Sequence, residues 1–115
     1  MTFAEWKNAR PVRQMFDKMD LDDYLDAATS WRSLRDLIVQ FNDPNEGRFV
    51  NLVRECSCSS GERILLHAIC YVTDFAWLAD ELGTDSKGRS RVWQDFDRVS
   101  GEHRRCVAAC IGVEW

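Results

Sequence analysis

Glycine and histidine are scarce in this chain of 115 residues, which has six of the first and two of the second. It holds no glycine-rich phosphate loop, no G-x-S-x-G elbow, no H-E-x-x-H and no dinucleotide fingerprint. The chemistries that depend on those arrangements therefore have no foothold. A membrane span would need about 20 predominantly apolar residues. The greasiest stretch, residues 61–82, is interrupted by His67 and Asp74 and crowded at its end by Asp80 and Glu81. Residues 1–10 lack the apolar core of a signal peptide. Alternating strand patterns, internal repeats and domain-separating linkers are missing too. The five cysteines, Cys56, Cys58, Cys70, Cys106 and Cys110, are odd in number. That count suits reduced thiols in a cytosol better than a disulfide framework. A cytoplasmic protein without a membrane segment or cofactor is expected. Positive charge is also in deficit, with Lys plus Arg 15 against Asp plus Glu 19. The net charge of −4 argues against a whole surface built for nucleic acid but leaves room for a local basic patch.

What is present is helical. Between Ile64 and Leu82 apolar side chains fall nearly all round the helical wheel, which marks a helix buried among neighbours. Thr2 and Glu5 form a capping box ahead of Phe3 and Trp6. Pro11 ends or kinks that helix and starts the next turn, where Val12, Met15, Phe16 and Met19 recur at helical spacing. Asp20 is placed as the N-cap of a short helix with the stripe Leu21, Tyr24, Leu25 and Ala28. Ser30 caps a helix bearing Trp31, Leu34, Ile38 and Phe41. Asp43-Pro44-Asn45-Glu46 reads as an N-cap acid, a first-turn proline and a third-position acid, opening a helix with Phe49, Leu52, Val53 and Cys56. Ser59 and Glu62 box the start of the central helix, and Gly83 is placed as its left-handed close. Val92, Phe96, Val99, His103, Cys106 and Cys110 continue the pattern, with Ser100-Gly101 as a candidate break. The expectation is an all-α, compact single domain over residues 1–115. It has five to seven helices around a buried central helix at about residues 61–82.

Several constellations carry possible chemistry. His67, Cys70 and Asp74 share one helical face, but residues two turns apart span about 10 Å along the axis. A polar seam against another helix, with Asp74 hydrogen-bonded to a neighbour, suits them better than a catalytic relay. His103, Cys106 and Cys110 repeat the spacing. With Cys56, Cys58, His67 and Cys70 they do not match a structural zinc pattern, and core cysteine is the preferred reading. Lys87, Arg89 and Arg91 place cations at the start of a helix, where the dipole opposes them. Phosphate binding, pairing with an acidic segment and solvation remain open there. Asp17, Asp20, Asp22, Asp23 and Asp26 crowd five acids beside the single Lys18. They serve a helix start, a negative patch that competes for a basic surface, or both. Of the five tryptophans, Trp6, Trp31, Trp77 and Trp93 are expected in the core, and Trp115 is an interface candidate.

In its acidic, aromatic-rich, motif-poor profile the chain resembles the small proteins that phages and mobile elements encode against host defence, the anti-CRISPR type of inhibitor. The resemblance covers the whole chain and rests on no motif, so no family residues carry over. It implies a non-enzymatic inhibitor that occludes a surface of a protein partner with a basic face, such as a CRISPR-associated nuclease or surveillance complex. The partner-binding candidates are Asp20, Asp22, Asp23, Asp26, Trp115, Lys87, Arg89 and Arg91. Two alternatives stay open. One is a nucleic-acid-binding accessory module using Lys87, Arg89 and Arg91 with Arg104 and Arg105. The other is a small Cys/His enzyme or metal-binding protein. Direct nucleic-acid binding and catalytic residues are not expected.

Overall fold

The computed structural model describes residues 1–43, 46–84, 87–89 and 96–113. Helix α1 (Phe3–Asn8) opens on the expected capping box, in which Thr2 Oγ1 accepts from Glu5 N–H and Glu5 Oε1 accepts from Thr2 N–H. Pro11 lies in the first turn of α2 (Arg10–Lys18), where its missing N–H leaves no helical acceptor wanting. The N-cap expected at Asp20 is corrected. Asp20 takes φ 58°, and Leu21 N–H reaches back 2.8 Å to the Phe16 carbonyl. This is a Schellman closure of α2, a conformation that a short aspartate tolerates better than most residues. Leu21 becomes the N-cap of α3 (Asp22–Ala27), and Asp22 and Asp23 occupy its first turn as expected.

Helix α4 (Trp31–Asn42) starts at the Ser30 cap. The expected N-cap role of Asp43 is also corrected: Asp43 is the C-cap of α4, at φ 45°. Its carbonyl accepts from Glu46 and Gly47 N–H at 2.8 and 2.9 Å, closing a turn. Helix α5 (Arg48–Glu55) starts later, from Gly47 at φ 63°. The cap comes from the preceding helix, because Asn42 Oδ1 accepts from Val50 N–H at 3.1 Å. Pro44 and Asn45 lie outside the described residues.

The long central helix is two helices, α6 (Ser60–Val72) and α7 (Ala76–Leu82). The Ser59–Glu62 capping box is present. Asp74 adopts φ 73°, and Phe75 N–H donates to the Cys70 carbonyl at 2.8 Å. The end of α2 is thus repeated at the end of α6. Gly83, at φ −83°, is not the left-handed residue. The break at residues 73–75 shifts the phase of the wheel, so Trp77 is half-exposed rather than core. Ser100-Gly101 does separate two helical pieces: residues 96–98 are helical, and α8 (Gly101–Ile111) starts from Ser100.

Helix α6 is the axis of the fold. Seven consecutive residues, Ile64 to Cys70, are buried, with Val72 beyond them. Helices α2, α7 and α8 pack around it, while α3, α4 and α5 continue from α2 and from one another. Trp6 is fully buried with Phe16 at 6.3 Å and Trp31 at 4.7 Å between ring centroids. Its indole Nε1–H donates to the Cys106 carbonyl at 3.1 Å, joining α1 to α8. Trp31 is half-buried against this cluster. The Cα radius of gyration, 13.2 Å, matches the ~13 Å of a folded chain of this size. The all-α bundle read from the sequence is present, with more and shorter helices because the central one is divided. No β-strand occurs among the described residues, and no helix there is long and apolar enough to cross a membrane.

Candidate protein-interaction surface

The acidic run lies across the α2–α3 corner. Leu21, Leu25 and Ala28 face the core and are buried, and Tyr24 packs on Phe41 of α4 with centroids 4.9 Å apart. That stripe turns the acids outward. Asp17, Asp20, Asp23 and Asp26 are exposed, and Asp22 is half-buried.

The acids are not equivalent. Asp26 is paired, its Oδ1 lying 2.6 Å from Arg13 Nη1. Lys7 Nζ donates to the carbonyls of Asp26 and Ala28 at 2.8 and 2.7 Å. It thereby caps the end of α3, where orphan carbonyls and the helix dipole favour a cation. Asp22 is the opposite case. Burial raises its carboxyl above the usual range. A hydrogen bond with Asp17 and the charges of Asp17 and Asp26 push the same way, and Arg13 only partly offsets them. Asp20 and Asp23 make no ion pair among the described residues. The corner therefore concentrates negative charge that Arg13 and Lys7 only partly neutralise.

The other sequence candidates fall elsewhere. Lys87 and Arg89 are exposed, flanking Gly88 at φ 77°. Arg91, Trp93 and Trp115 lie outside the described residues. His67 and Cys70 are buried in α6, but Asp74 is exposed beyond its end. The polar seam expected to bring these three against a neighbouring helix is therefore not formed, because the left-handed turn carries Asp74 off the α6 face. Cys70, Cys106 and Cys110 are fully buried, as the core-cysteine reading expected. Burial pushes the Cys70 thiol up to about 12 and the Cys106 thiol to about 11, and raises Cys110 as well. Among the described residues, no three His, Cys, Asp or Glu side chains converge as a metal site would require.

The sequence reading missed an apolar surface. Tyr71, Trp77 and Ile111 are each more than half exposed, at 51%, 52% and 57%. The Arg54 guanidinium lies over the Trp77 ring, 5.7 Å from its centroid, and pairs through Nε and Nη2 with Glu81 at 2.9 and 2.8 Å. A groove of about 330 Å³ runs between α6, α7 and α8. Its walls include Ile64, Tyr71, Val107 and Ile111, with His67 and Asp80 as its polar members. The only sequence signal for this surface was Asp74-Phe75, a left-handed stop inside an apolar run.

The chain matches no family model, no curated protein and no solved structure.

Proposed function

We propose that this protein is a non-enzymatic binding protein that inhibits its partner by covering a basic surface, in the manner of anti-CRISPR proteins. The acidic corner of α2 and α3 is the contact face. One observation carries the reading: Asp17 and Asp22 are held close enough to share a hydrogen bond while Asp20 and Asp23 stand exposed beside them. A like-charge cluster of this kind is disfavoured in the isolated protein and relieved by a cationic surface, which gains both steering and specificity from it. Within the corner, Asp20, Asp22 and Asp23 are the contacting acids. Asp26, already bound to Arg13, orients the face.

The test is affinity capture from a bacterial lysate containing a CRISPR system, comparing wild type with the D20N/D22N/D23N variant. Recovery of a defence nuclease or ribonucleoprotein by wild type, weakened by salt and lost in the variant, supports the reading. Equal recovery by both, with the same salt dependence, removes the acidic corner from the interface. An effector complex whose nuclease activity is unaffected by saturating protein refutes inhibition.

A further inference from the structure

Cys56 is the C-cap of α5, and Cys58 precedes Ser59, the N-cap of α6. Residues 56–59 thus form the non-helical joint between two helices. Within that joint the two Sγ atoms lie 3.0 Å apart in a thiol–thiol hydrogen bond. A disulfide, at about 2.05 Å, is roughly one ångström away. Both residues are half-buried rather than sealed. Cys56 lines a groove of about 290 Å³ together with Lys18, Met19, Leu52, Glu55 and Ser57, so a small reagent has a path to its sulfur. The Lys18 ammonium, held on Glu62 at 3.2 Å, interacts electrostatically with both thiols.

We propose that Cys56 and Cys58 are a thiol–disulfide site that closes to an intramolecular disulfide by exchange with a small disulfide of the glutathione class. The two sulfurs have different parts. Cys56 lines the groove and Cys58 is not among its walls, so Cys56 attacks first. Burial and the hydrogen bond to Cys56 raise the Cys58 thiol, which follows as the second nucleophile. The Cys56 thiolate forms a bond to one sulfur of glutathione disulfide, whose S–S bond breaks and releases one glutathione thiolate. That thiolate takes a proton. Cys58 then loses its proton, attacks the Cys56 sulfur of the mixed disulfide, and the second glutathione leaves. Overall the protein gives up two protons and two electrons and gains one S–S bond. Glutathione disulfide accepts both pairs and becomes two thiols. A disulfide formed at an accessible joint of this kind is labile, as regulatory disulfides are. Cys70, Cys106 and Cys110 are fully buried and take no part.

The experiment incubates the purified full chain with glutathione disulfide, quenches with acid, alkylates the remaining thiols and reads intact mass and peptide maps. The expected product has lost two hydrogens, carries three alkyl groups and yields a Cys56–Cys58 linked peptide that dithiothreitol reopens. C58S should stop as a stable mixed disulfide bearing one glutathionyl on Cys56. C56S should react more slowly than C58S, because its remaining thiol does not line the groove. Five alkylated thiols in the wild type, a persistent glutathione adduct without closure, or a disulfide to any of the three buried cysteines overturns the site. C56S reacting as fast as C58S overturns the order of attack.

Discussion

Asp74 offers a test whose sign, and not only its size, depends on the structure. It sits at φ 73° between α6 and α7 and is exposed, so replacing it disturbs the backbone preference more than packing. The left-handed conformation costs an ordinary L-residue about 1–2 kcal/mol, and glycine escapes that cost. Against this, glycine loses about 0.4–1 kcal/mol through the greater freedom of its unfolded chain. D74G should therefore exceed D74A in stability by about 1 kcal/mol, with aspartate between them because its short side chain tolerates this region. D74V should be the least stable, since β-branching adds steric conflict at positive φ. For a chain of this size 1 kcal/mol corresponds to about 4 °C in melting temperature. Urea midpoints and thermal melts of the four proteins measure it. The alternative is the continuous helix that the apolar wheel over residues 61–82 suggests. In a helix interior alanine exceeds glycine by about 1 kcal/mol, the reverse order. D74A more stable than D74G would refute the break, and with it the exposure of Trp77.

Leu65→Ala and Ile69→Ala, in the sealed part of α6, should each cost about 2–5 kcal/mol in urea titration. A loss below 1 kcal/mol would mean that α6 is not the axis of the fold. Trp6→Phe removes the indole bond to Cys106 and leaves a void, for a loss of about 2–3 kcal/mol by the same assay; an unchanged midpoint would contradict the α1–α8 contact. The Asp22 carboxyl is raised above 3.8, so the folded state holds this proton more tightly than the unfolded chain. Its contribution favours folding in acid and is lost as pH rises from 3.8 through the raised value. Asp22→Asn should thus be more stable than wild type at about pH 7, with an advantage that fades toward about pH 3. An advantage equal at both would place its origin outside charge.

Local chemistry in the sequence located the starts of α1, α4 and α6. Thr2 with Glu5, Ser30, and Ser59 with Glu62 each cap within a few residues, so each could be read without knowing what lies nearby in space. The stops were harder. Asp20, Asp43 and Asp74 all sit at positive φ, a state aspartate enters only when the following residues have somewhere to go. Leu21 and Phe75 have the core, and that information is tertiary. An aspartate before a helix and an aspartate after one look alike in sequence, so Asp20 and Asp43 read as N-caps although each stands at the close of the preceding helix. The exposure of the acidic run followed from its apolar stripe. Its internal pairing did not, because Arg13 lies 13 residues from Asp26 and Lys7 lies 21 from Ala28. The Cys56–Cys58 contact follows from the bend at the α5–α6 joint, which spacing alone does not specify.

The indole bond from Trp6 to Cys106 joins residues a hundred positions apart. A chain made from its N-terminus completes α1 and α2 long before their cover exists. Until α8 emerges, the face bearing Trp6 and Phe16 has no lid on its α8 side, and a ring that is fully sealed in the finished protein is exposed to whatever the nascent chain meets. Sealing that face is a long-range event, so it gives little local help to early folding. A stop codon before Gly101 would remove the lid outright and leave a chain that exposes tryptophan and invites association.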